Sequence, residues 1–191
     1  MPAMVFEAAI LDRIMARLVL AIGIVGIAVA AALLLIVRSS PSAAPTVSTT
    51  PQSWSLPSLE GSGSVTLAQF RGRPLVVDFF ASWCTSCQAE LPDFLQVSQK
   101  LGGAVRFVGV DSEENGDGLG LARRTGITAW PLARDVDGTQ QSGLRDSLES
   151  IRGMPITAFY DSQGHLLQVR LGALTGDALM TEISSLYGAA A

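Results

Sequence analysis

Trp83-Cys84-Thr85-Ser86-Cys87 holds both cysteines of the 191-residue chain, three positions apart. Thiols at that spacing can form and break a disulfide with each other or with a partner. An apolar run, LVVDFF, ends four residues before Cys84, and a helix-compatible stretch follows it. The pair therefore falls where a strand hands over to a helix. At a helix start, three-residue spacing brings both sulfurs to one end of the first turn, within disulfide reach. The unsatisfied N–H groups and partial positive charge there favour a thiolate. Cys84 is thus the expected nucleophile, with a depressed pKa. Cys87, one turn deeper, is the expected resolving thiol.

Two plainer readings compete. Half of a zinc site would need a second Cys or His pair, and the chain has one histidine, His165, so no metal ligand set is expected. A purely structural bridge would close a very short loop, the kind that stabilises a fold least. A CxxC at a strand-to-helix junction is a specific redox signal. The single histidine also excludes a His₃ metal centre and argues against a Ser-His or Cys-His triad. Seventeen Asp+Glu outweigh 13 Lys+Arg, so the chain offers no basic field for nucleic acid.

The elements that must position the pair can be read around it. Residues 75–80 read as a buried strand and 84–101 as a helix kinked at Pro92. A second strand is expected at 105–110. The acidic stretch 111–118 reads as a solvated loop, with Glu113 and Glu114 on its exposed face. A short helix over 119–125, a turn at 135–138 and a helix over 144–151 lead into Gly153-Met154-Pro155. Residues 156–160 and 166–171 read as strands paired around a turn, with His165 solvated at the hairpin rim. Thr175 can cap a last helix running to about Tyr187. Strands alternating with helices predict an α/β fold with a mixed sheet.

Ahead of this domain, residues 18–37 (LVLAIGIVGIAVAAALLLIV) run for 20 positions without a charged or hydrogen-bonding side chain. As a helix they would span about 30 Å, the thickness of a bilayer core. The competing reading is a cleaved signal, whose apolar region would be shorter. Arg13 and Arg17 precede the span and Arg38 alone follows it closely. That bias puts the N-terminus in the cytoplasm and the bulk of the chain outside. Four segments are expected: a cytoplasmic 1–17, an anchor 18–37, a flexible Ser/Pro/Thr linker 38–53, without charge after Arg38, and a folded domain 54–191.

These residues together resemble the thioredoxin superfamily, and within it the TlpA/ResA-like membrane-anchored thiol–disulfide oxidoreductases of bacteria. The likeness rests on Trp54-Ser55-Leu56-Pro57 with Val65-Thr66-Leu67, on Phe70-Arg71-Gly72-Arg73-Pro74, and on WCxxC followed by Pro92. Gly153-Met154-Pro155 and Leu171-Gly172-Ala173-Leu174-Thr175 complete it. It implies a thioredoxin-like fold, a mixed central sheet flanked by helices, with an N-terminal hairpin extension. It implies that Asp78, six residues before Cys84, exchanges a proton with the inner thiol. A carboxylate on an apolar strand should carry a raised pKa, which suits that task. The alternative is an Asp at the strand's edge, bonded to backbone. Trp83 would flank the dithiol as an apolar platform, or serve as core. Met154 and a cis Pro155 would offer a backbone edge to an extended substrate.

The chain departs from the family at Thr85-Ser86, where many relatives carry Pro, or His in oxidising members. Those two positions tune thiolate stability and so the direction of electron flow. Glu90 could reach the site electrostatically; a surface helix position is the expected placement. The resemblance implies disulfide exchange with exported Cys-containing proteins, apocytochrome c among them, as reductant or as oxidant. It implies a membrane thiol reductase or oxidase as partner, and no cofactor beyond the redox-active Cys84–Cys87 disulfide. Peroxide reduction fits less well, because the Thr three residues before a peroxidatic cysteine is here Ala81. A copper chaperone of this fold would space its cysteines one residue wider and add a placed histidine. A non-catalytic module holding thiol proteins would not need Asp78 and Pro155 intact.

Overall fold

Leu75–Phe80 is buried at every position, as an unbroken apolar run on a central strand requires. It is the middle strand, β3, of a five-stranded sheet in the computed structural model, which describes residues 52–135, 143–148 and 153–188. The sheet order is β5-β4-β3-β6-β7, with β4 at Arg106–Ser112, β5 at Leu132–Asp135, β6 at Ile156–Tyr160 and β7 at Leu166–Leu171. β3, β4 and β5 run parallel, while β6 pairs antiparallel with both β3 and β7, so the expected mixed sheet is present. A short hairpin, β1 at Ser55–Pro57 and β2 at Ser64–Thr66, forms its own two-stranded sheet. The Leu59 N–H donates to the Leu132 carbonyl and ties this hairpin to edge strand β5.

Helices α1 (Thr85–Lys100) and α2 (Gly118–Thr125) make the crossovers that parallel strands need. A single helical turn, α3 (Leu144–Ser147), precedes β6, and α4 (Gly176–Tyr187) closes the chain. Thr175 caps α4 by accepting from the Ala178 N–H. Two cores result. On one face Val76, Phe80 and Phe159 pack with Leu91 and Phe94 of α1 and Leu179 and Ile183 of α4. On the other Val77, Phe79 and Ile156 meet Leu56 and Val65 of the hairpin and Leu144 and Leu148 around α3.

Several expectations need correction. β4 runs on through Asp111 and Ser112, both buried, so the solvated loop starts only at Glu113 and ends before Gly118. Leu132–Asp135 is a strand that the sequence did not announce; Asp135 ends it and is buried. The rest of that expected turn, 136–138, lies outside the described residues, as does the end of the helix expected over 144–151. His165 is half-buried and its Nδ1 meets Asp161 Oδ2 at 2.7 Å, so it is a turn partner and not a free rim residue. Among the described residues no helix is long and apolar enough to cross a membrane. The expected span at 18–37, with the segments 1–17 and 38–51, lies outside them.

Candidate functional site

Strand β3 delivers the chain through Ala81-Ser82-Trp83 to the start of α1, and there Cys84 and Cys87 form a disulfide. Cys84 is the N-cap of α1, its Sγ accepting from the Cys87 N–H at 3.1 Å. That interaction places one sulfur where the helix's first N–H groups converge, the position that stabilises a thiolate. Cys84 retains 5% exposure and Cys87 none, so the outer and inner assignments have a geometric basis. Trp83 stands beside them 47% exposed and is therefore a surface platform, not core. Its indole Nε1 donates to the Glu113 carbonyl at 2.8 Å. Thr85 and Ser86 occupy the first turn of α1 and are exposed.

The Met154–Pro155 peptide is cis. Gly153, at φ 120°, makes the turn into it, a conformation that favours glycine. Pro155 is buried, and its carbonyl accepts from the Gly172 N–H at 2.9 Å. Met154 is half-buried and contacts both cores.

Alternation along β3 turns Asp78 to the same face as Val76 and Phe80, the face covered by α1. Asp78 sits in a central strand, fully buried, with neither carboxyl oxygen hydrogen-bonded by protein. The edge position considered from sequence is thus excluded. Burial pushes its pKa up to about 8. Glu90 is also buried, at 3% exposure, which corrects its expected surface placement. It lies one helical turn beyond Cys87 on the same side of α1. One carboxyl oxygen accepts from the Leu174 N–H at 2.9 Å and the other has no partner. Burial, then repulsion from Asp78, push Glu90 up to about 9, against the Leu174 hydrogen bond. Both carboxyls thus titrate well above the ordinary carboxylate range, Asp78 through burial and Glu90 through burial and the Asp78 charge.

A second acidic group braces the approach to the dithiol. Glu114 accepts from the Ser82 N–H and Oγ, both at 2.6 Å. Burial would raise its pKa, but the bonds from Ser82 and Gly116 bring it below the ordinary value. Glu113 has φ 53° and pairs with Arg145 at 2.6 Å. Neither is a merely solvated loop residue. Arg145 was not singled out from sequence, because its partners are distant along the chain. Among the described residues no group of acidic, His or Cys side chains could hold a metal.

Comparison with known proteins agrees with this geometry. The thioredoxin family profile matches residues 65–134. The thioredoxin of Borreliella burgdorferi is 35% identical over 89 residues, covering 43% of this chain and 74% of that protein. The thiol:disulfide interchange protein DsbE of Pseudomonas fluorescens is 26% identical over 137 residues, or 71% of this chain and 72% of that one. Among solved structures, MTB DsbF in mixed oxidised and reduced forms superposes with a TM-score of 0.59 at 25% identity, covering 70% and 94% of the two chains. Two other relatives match over a shorter core, and the chain spans 24% and 33% of their lengths. The matched residues carry the strand, the WCxxC helix start and the parallel crossovers described above. The chain belongs to the thioredoxin family.

Proposed function

We propose that this protein is a membrane-tethered dithiol–disulfide oxidoreductase that works outside the cytoplasmic membrane as a reductant of exported proteins. The observation that carries the reading is the Cys84–Cys87 disulfide at the N-terminus of α1, with Cys87 fully buried and Cys84 retaining 5% exposure. The tether and its orientation rest on the apolar run 18–37 and the arginines around it. Exported Cys-containing proteins, apocytochrome c among them, are the proposed substrates, and a membrane thiol reductase the proposed source of electrons.

In the reducing direction the Cys84 thiolate attacks one sulfur of a substrate disulfide. That S–S bond breaks, a mixed disulfide forms at Cys84, and the first substrate thiolate leaves and takes a proton. Cys87 then gives up its proton and attacks the Cys84 sulfur. The mixed disulfide breaks, the second substrate thiol is released, and the Cys84–Cys87 disulfide has received the oxidising equivalents. Asp78, coupled to Glu90, is the proposed acceptor of the Cys87 proton. A carboxyl raised to about 8 is close to a thiol's ordinary value near 8.5, so the transfer is nearly thermoneutral. Trp83 on one side and cis Pro155 with Met154 on the other would bound the groove for an extended substrate segment.

Reduction is favoured over oxidation by the charge around the pair. A strong oxidant of this kind has a stabilised reduced form. Here the hydrogen bond to Cys84 Sγ comes from backbone alone, and the acids Asp78 and Glu90 share its core face. Neither adds positive charge to a thiolate. The test is stoichiometric exchange between the reduced chain and a peptide holding one disulfide. Two peptide thiols should appear for each Cys84–Cys87 disulfide formed; no thiol release would reject the function.

A further inference from the structure

We propose that Arg145 is the positioning residue that sets the spacing between the two walls of the substrate groove, and with it the affinity for a polypeptide disulfide. The inference rests on the proposed function above. One wall is Trp83, fixed through its Nε1 bond to the Glu113 carbonyl. The other is the Gly153–Pro155 turn. Arg145 reaches both. Its Nη1 meets Glu113 Oε1 at 2.6 Å and Asp146 Oδ1 at 3.1 Å, and its Nη2 donates to the Gly153 carbonyl at 3.2 Å.

The guanidinium is 4% exposed, whereas both carboxylates that hold it are 39% exposed. Water can therefore reach and satisfy those carboxylates when the arginine is gone. A buried ion pair is in any case weak evidence for stability. Its planar fork instead fixes two acceptors from separate segments in one geometry, which the single ammonium of lysine cannot do. The backbone of Arg145 is itself anchored. Its N–H donates to Asp135 Oδ2 at 2.7 Å, and the Leu144 N–H to Oδ1 at 3.2 Å, so α3 is pinned to the end of β5. On the Trp83 side, Glu113 adopts a left-handed backbone unusual for a non-glycine residue, directing its carbonyl to Trp83 and its carboxylate to Arg145. One residue thus links a sheet edge through its backbone to the tryptophan loop and the cis-proline turn through its side chain.

The experiment compares full-length wild type, Arg145→Gln, Arg145→Lys and Glu113→Ala. Exchange with a single-disulfide peptide is measured beside reaction with dithiothreitol, which needs the sulfurs but not the groove. Arg145→Gln should raise KM for the peptide about tenfold, with kcat and the dithiothreitol rate within about twofold. Arg145→Lys should give a partial rise, and so should Glu113→Ala, which keeps the arginine and serves if Arg145→Gln fails to fold. Acrylamide quenching of Trp83, taken as the difference from Trp83→Phe, should increase in Arg145→Gln. That readout holds even if the wild type exchanges with no peptide, a result that would reject the proposed function alone. An unchanged KM with unchanged quenching overturns the role of Arg145. So does a dithiothreitol rate that falls in parallel with peptide affinity.

Discussion

Cys84→Ser should lose at least about a thousandfold in disulfide exchange, because serine's hydroxyl is neither ionised nor able to form the mixed disulfide. Cys87→Ser should behave differently. Its Cys84 still occupies the N-cap of α1, where the residue 87 N–H reaches the sulfur. Attack on substrate therefore proceeds while resolution stops, and a covalent chain–substrate adduct accumulates. Non-reducing mass spectrometry after mixing with the single-disulfide peptide reads both results. Turnover retained by Cys84→Ser would contradict the assignment of nucleophile. Absence of any adduct with Cys87→Ser, under conditions where wild type exchanges, would contradict the assignment of resolving thiol.

Asp78→Asn has the next largest expected effect, and it acts in two opposite directions. The buried carboxyl has no protein hydrogen bond, and burial raises its pKa to about 8. Between the ordinary carboxylate range and about 8 the folded chain keeps a proton that the unfolded chain releases. Stability therefore falls as pH climbs through that window, the more so because Glu90 is raised to about 9 by the same burial. Asparagine removes one of the two titrations. By denaturant unfolding, Asp78→Asn should gain on the order of 2 kcal/mol over wild type at pH 9 and little at pH 5. The same variant should slow resolution by Cys87 roughly 10–100-fold at pH 7, since the proton acceptor is lost. A stability difference that does not grow with pH would show that Asp78 is not held protonated by burial. Resolution at the wild-type rate would remove it from the proton path.

Much of this site was legible in the sequence, for physical reasons that differ by residue. The cysteines announce themselves by type and spacing, and LVVDFF by an apolar run too continuous for an exposed strand. Asp78 stands out because it is the one charge in that run. Glu90 was misplaced although a signal existed. It sits three residues after Cys87 and next to Leu91, on the stripe that includes Phe94 and Val97, and that phase points inward. β5 gave no alternation to detect. Leu132–Asp135 becomes a strand by pairing with Gly109–Ser112, a long-range cause invisible in four residues. The same pairing carries Asp111 and Ser112 into β4 in place of the expected loop. The cis Pro155 could be anticipated only from family resemblance, since an isolated X–Pro bond strongly favours trans. Arg145 has no local signature, because Glu113 lies 32 residues away and Gly153 eight.

Thr85-Ser86 leaves the direction of electron flow to the environment of the sulfurs. The reduction potential of the Cys84–Cys87 couple, measured on the full-length chain equilibrated in glutathione buffers, tests that claim directly. A reductant without cationic stabilisation of its thiolate should lie near or below about −250 mV, beside thioredoxin. A value near about −120 to −150 mV would place the pair among disulfide donors and contradict the reducing role. The two outcomes differ by roughly 100 mV, about 4–5 kcal/mol for two electrons, so the measurement separates them cleanly.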